Sequence, residues 1–180
     1  MILLHNGTQY PYLFYEGEIT CISPIIANIT RTEDTTTYYI KNNADYTITN
    51  VFFIYIRYGL FSSIGDNWFE YVHFGDLNAG DEITITNSSS ENLVNVTESK
   101  NIIRNALILE GLTLSESNEL LSYWESYWFS PSNNGEYTRV LFQIPQLTYD
   151  ELIPLSITPQ PEVIKRVGLF TITDIPIVIS

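Results

Sequence analysis

Six consecutive apolar residues, Val51-Phe-Phe-Ile-Tyr-Ile56, lie inside a longer β-branched and aromatic stretch, Thr47–Tyr58. Side chains of an extended strand alternate between two faces, so this run places apolar groups on both. A strand of that kind is stable only when it is covered front and back, as in the middle of a buried sheet. The neighbouring stretches also read as strands. Thr36–Lys41 is β-branched and aromatic, and Asn42-Asn43-Ala44-Asp45 after it is a turn cluster. Asn67–Phe74 is a further aromatic strand. Glu82–Thr86 alternates, with Ile83 and Ile85 inward and Glu82, Thr84 and Thr86 outward. Upstream, Tyr12–Tyr15 and Glu18–Ile22 flank Glu16-Gly17, which predicts a hairpin. Short strands separated by turn signals imply a β-sandwich.

The pattern changes after residue 98. Lys100–Glu110 puts Ile102, Ile103, Ala106 and Leu107 on one helical face, and Gly111 is suited to end that helix. Thr113-Leu-Ser-Glu116 has the spacing of a capping box. The helix it opens carries Leu120, Leu121, Trp124, Tyr127 and Trp128 on one side. Asn134-Gly135 is a turn, Tyr137–Ile144 a strand, and Thr148–Leu152 a single helical turn with Thr148 as its N-cap. Val163–Thr173 reads as a last long strand, and Pro176 makes the C-terminal end suitable only for a sheet edge. The expected fold is mainly β with an α+β C-terminal part. An Ig-like β-sandwich over 1–98 is followed by an α+β module over 99–180, with two helices packed on a small sheet.

Composition excludes some functions. The chain of 180 residues carries 21 acids and 8 bases, a net charge of −13. That field repels phosphate backbones and anionic lipid surfaces, so no nucleic-acid partner is expected. No stretch approaches the roughly 20 apolar residues of a membrane span. The apolar beginning and end read as strands cut at both sides, as expected for a piece of a longer chain with Met1 added or accidental. Cys21 is the one cysteine, so no disulfide can form within the chain, and its apolar context predicts a buried thiol.

The residues at 38–56, "YYIKNNADYTITNVFFIYI", followed by "FGDLNAGDEITI" at 74–85, resemble immunoglobulin-like domains of envelope proteins. Leu77-Asn-Ala-Gly80-Asp81 matches the L-x-x-G-[DE] turn that leads into an alternating strand in such domains. The resemblance covers about residues 10–97 and implies an Ig-like sandwich. The pieces "LLSYWESYWF" (120–129), "RVLFQIP" (139–145), "YDELIPLSITPQP" (149–161) and "RVGLF" (166–170) look like a module of envelope and secreted proteins. Neither resemblance brings catalytic residues or a cofactor.

Three constellations invite a chemical reading. Asp76 and Asn78 alternate as calcium ligands do, and Asp81 follows after a glycine. An EF-hand, however, needs a glycine at the sixth position and an acid at the twelfth. Counted from Asp76, those positions are Asp81 and Asn87, so a turn is the preferred reading and calcium the lesser one. His5 and His73 have no metal-ligand spacing, and no nucleophile elbow is present, so no catalysis is expected. Tyr123, Trp124 and Trp128 could form a sugar-stacking platform, or could extend the apolar stripe of their helix into the core. Sequons at Asn6, Asn28, Asn87 and Asn95 are about what chance gives in a chain so rich in Asn, Ser and Thr. The expected function is a non-catalytic structural or interaction module of the cell envelope or extracellular space. Its partner would be a protein or neighbouring domains of the parent chain. The alternatives are a carbohydrate-binding module or a filament subunit joined by strand addition.

Overall fold

The structure, a computed structural model, describes residues 2–3, 9–10, 20–58, 67–88, 96–129, 137–160, 162–173 and 175–179. The fold is α+β, with strands dominating. The strands are β1 (Ile2–Leu3), β2 (Gln9–Tyr10), β3 (Ile25–Arg31), β4 (Thr35–Asn42), β5 (Ile48–Tyr58), β6 (Asn67–Leu77), β7 (Glu82–Ser88), β8 (Tyr137–Gln143), β9 (Leu169–Thr173) and β10 (Ile177–Ile179). The helices are α1 (Val96–Leu109), α2 (Leu114–Trp128) and α3 (Gln146–Leu152). Apart from the small β1–β2 pair, the strands form two four-stranded sheets. An outer sheet has the order β10-β3-β4-β7, and a central sheet the order β6-β5-β8-β9. All pairings are antiparallel except β10 with β3.

The apolar run of β5 explains the layering. Val51, Phe53 and Tyr55 point toward the outer sheet and join one core with Ile29, Tyr38, Ile40, Val140 and Phe142. The Tyr38 and Phe53 rings meet edge to face at 5.1 Å. Phe52 and Ile54 point the other way, into a second core with Leu141, Ile103, Leu107, Leu121 and Trp128. Helices α1 and α2 therefore cover the back of the central sheet. All five residues from Val51 to Tyr55 are buried, as a strand covered on both sides requires.

Local signals in α1 and α2 act as their sequence implies. Gly111 has φ +109°, and the Leu112 amide bonds to the Leu107 carbonyl while the Gly111 amide bonds to that of Ile108. This pattern is a Schellman stop. The Thr113 amide donates to Glu116 Oε2, and the Glu116 amide donates to Thr113 Oγ1, which completes the capping box. Lys100 of α1 pairs with Glu125 of α2 across the helix interface.

Several expectations are corrected. Helix α1 begins at Val96 rather than Lys100. Helix α3 starts after Pro145, whose carbonyl accepts from the Tyr149 amide, so Thr148 lies inside the helix and not at its cap. Proline suits a helix start because its φ is already set and it has no amide to satisfy. The last long strand shrinks to Leu169–Thr173. The preceding stretch is held to α3 instead. Arg166 pairs with Asp150 at 2.5 Å and stacks 4.4 Å over the Tyr149 ring, and a Cβ at Gly168 would meet that ring at 3.1 Å. Cys21 is exposed, because it precedes β3 and belongs to no strand. The Tyr12–Ile22 hairpin falls mostly outside the described residues, as do His5 and the Asn134-Gly135 turn.

The pattern change at 98/99 falls in the first turn of α1, and it does not divide the sheets. Strand β8 lies between β5 and β9 in the central sheet, and β10 pairs with β3 in the outer one. Each sheet thus takes strands from both sides of residue 98.

Candidate functional site

The Gly75–Asp81 stretch carries the chain from β6 in the central sheet to β7 in the outer one. Gly75 and Gly80 both have positive φ, +73° and +80°. The Asp81 amide closes a turn on the Asn78 carbonyl, and Asp81 Oδ2 accepts from the Asn78 amide at 2.7 Å. Asp76 Oδ1 accepts from the Asn50 amide, and Asn78 Oδ1 accepts from Thr47 Oγ1. These oxygens are spent on backbone and hydroxyl partners. Among the described residues, no group of three or more His, Cys, Asp and Glu side chains is placed to hold a metal. The turn is anchored by Asn42 at the end of β4. Its Nδ2 donates to the Tyr46 and Leu77 carbonyls, and its backbone bonds to Gly80 and Asp81.

On α2 the aromatic residues separate by depth. Trp128 is 2 % exposed, and its Nε1 donates to Thr171 Oγ1. Trp124 is half-buried and lies parallel to Trp128 at 5.6 Å, so one of its faces is covered. Tyr123 and Tyr127 are exposed and meet Trp124 nearly at right angles, at 78° and 62°. Tyr127 also stacks 4.1 Å from the Arg139 guanidinium of β8. The stripe extends the core inward and ends in crossed rings, without the flat row that stacks on sugar faces.

His73 on β6 is exposed, with its ring stacked 4.6 Å from that of Phe52. Desolvation lowers its pKa from the ordinary 6.5, with Asp76 opposing. A histidine held below its unfolded value adds stability above that value and loses it as pH falls below. Thermal unfolding measured from neutral pH down through 6.5 is therefore expected to show a loss of stability that His73→Gln reduces.

A cavity of about 260 Å³ lies at one end of the central sheet, behind β5, where no sequence motif predicted a site. A bulge lies beside it. The β5 register shifts between Ile48 and Phe52 against β6, and between Thr49 and Phe52 against β8. Asn50 lies in the bulge with φ +51°, a left-handed conformation that asparagine tolerates better than most residues. Its amide is held by Asp76, and its Nδ2 donates to Gln143 Oε1 at 2.6 Å. Gln143 is 3 % exposed, and its Nε2 is buried without a partner. Thr47, Thr49, Glu110, Lys165 and Val167 complete the principal walls.

No protein-family model matches the chain, and no curated protein matches it in sequence.

Proposed function

We propose that the chain is a non-catalytic structural or protein-interaction module of a cell-envelope or extracellular protein, built on an Ig-like sandwich. The observation that carries the interaction reading is the outer edge formed by β10. Its Val178 is 54 % and its Ile179 77 % exposed, and the strand has a neighbour on one side only among the described residues. An edge of β-branched residues with open main-chain groups is suited to accept an extended segment of a partner. Strand β10 itself pairs in parallel with β3, and a further strand would extend the same sheet.

The strand order supports the finer fold. In this reading β3, β4 and β7 correspond to Ig strands A, B and E, and β6, β5, β8 and β9 to C′, C, F and G, a correspondence that rests on the two strand orders, with β10 beside β3 as an addition. Helices α1 and α2 then sit in the E–F connection. The chain departs from antibody domains in having a single cysteine, hence no inter-sheet disulfide, and no tryptophan on β5.

Selection of displayed random peptides on the purified protein tests the interaction reading. Enrichment of alternating β-branched sequences is expected, with binding abolished by the double substitution Val178→Lys, Ile179→Pro. No enrichment, or binding that the double substitution leaves intact, would count against it.

A further inference from the structure

We propose that the flank of α2 turned away from α1 docks an arginine-bearing segment of a partner protein. The contacts of α2 fix which flank this is. Glu125 pairs with Lys100, and Asn118 Oδ1 accepts from Arg104 Nε, so these positions face α1. Ser117, Leu121 and Trp128 are buried on the core side. At 3.6 residues per turn, the flank opposite α1 brings together Glu116, Glu119, Leu120, Tyr123 and Tyr127. Tyr123 is 57 % and Tyr127 42 % exposed, and Leu120 is half-buried. A helix uses large apolar groups on its core side. Here a leucine and two tyrosines stand beside that side, facing solvent. Exposed tyrosine is also the side chain that interfaces favour, because a rigid ring covers much area at little cost in side-chain freedom.

Charge and ring geometry name the occupant. Helix α2 contains glutamates but no Lys or Arg. Glu125 is paired with Lys100, whereas Glu119 is exposed one turn before Tyr123 and has no ion-pair partner among the described residues. Glu116, which accepts the Thr113 amide through Oε2, is a second carboxylate on the same flank. Crossed rings beside carboxylates suit a compact cation, which meets one ring face at a time and needs no flat row. The protein's own cations show the contact. The Arg139 guanidinium lies 4.1 Å from the Tyr127 ring, and Lys100 Nζ lies 5.6 Å from that of Phe129. Arginine fits better than lysine, because a planar guanidinium can stack on a ring and bond a carboxylate in its plane. The net charge of −13 speeds the approach of a basic partner. This flank belongs to the helices behind the central sheet, whereas β10 belongs to the outer sheet on the other side. The two docking surfaces therefore stand or fall separately.

The test is fluorescence anisotropy of labelled hexaarginine titrated with the full chain at about 0.15 M salt, where long-range attraction is largely screened. Saturable binding is expected, weakened about three- to tenfold by Tyr123→Ser and by a similar factor by Glu119→Gln. Both residues are exposed, and unchanged urea midpoints verify that the variants are folded. Glu33→Gln with Asp34→Asn removes two exposed charges from the β3–β4 turn of the outer sheet, and is expected to change the affinity less than about twofold. The β10 double substitution is expected to leave binding intact. No saturable binding would overturn the proposal, as would an affinity unchanged by Tyr123→Ser. A loss in the Glu33/Asp34 variant as large as that in Glu119→Gln would reduce the binding to attraction by net charge, and a loss with the β10 substitutions would move it to that edge. Either result would also overturn the proposal.

Discussion

Phe52→Ala and Phe53→Ala are each expected to lower the unfolding free energy by about 3–5 kcal/mol, the usual cost of truncating a buried phenylalanine. Both rings are fully buried, but in different cores. Phe53 loses its packing on Tyr38 and the outer sheet, whereas Phe52 loses α1, α2 and the His73 ring. In a strand with one solvated face, one of two adjacent residues would be a surface position, and its truncation would change stability by no more than about 0.5 kcal/mol. Two adjacent large losses are therefore the signature of a strand covered on both sides. Urea unfolding of the two single variants measures them.

Asn42→Ala is expected to cost about 3 kcal/mol. The side chain is fully buried and makes three hydrogen bonds, to the Tyr46 carbonyl, the Leu77 carbonyl and the Ala44 amide. Alanine removes all three and leaves the buried Leu77 carbonyl without this donor. Asn42→Asp keeps the shape and the bond from Ala44 but turns an oxygen toward two carbonyls, so it is expected to be no more stable than the alanine variant. If aspartate restored the wild-type midpoint in urea, the role of the Nδ2 group would be refuted.

The parts of the fold legible in the sequence are those set by local rules. The two-sided apolar run predicts the buried middle strand, the Ile83/Ile85 alternation predicts the inward face of β7, and Thr113 with Glu116 predicts the start of α2. What escapes is set by contacts distant in sequence. Nothing near residue 137 says that β8 lies beside β5 in the central sheet, and nothing near Ile177 names β3 as its neighbour. Arg166 looks like a strand residue until Asp150 and Tyr149 are seen to hold it. The aromatic positions of α2 are plain in the sequence, but only packing separates buried Trp128 from exposed Tyr123.

The cavity is the least legible feature, since Thr49, Glu110, Gln143 and Lys165 come from four separate parts of the chain. One local signal existed. An asparagine between Thr49 and Val51 is out of character in a strand, because its side chain competes for backbone hydrogen bonds and tolerates left-handed φ. It marks the bulge, although not the cavity beside it. The "GDLNAGD" stretch at 75–81 is the turn between the two sheets that Asn42 anchors.

The central claim is that residues on either side of 98 build one structure, with both sheets shared between them. Its most direct test is the folding of residues 1–98 alone. Without β8 the central sheet loses its third strand, and without α1 and α2 the Phe52 and Ile54 face has no cover. The fragment is therefore predicted to show no cooperative urea transition and a collapsed amide NMR dispersion, whereas the full chain unfolds in one transition. A fragment that unfolds cooperatively with native-like dispersion would contradict the account.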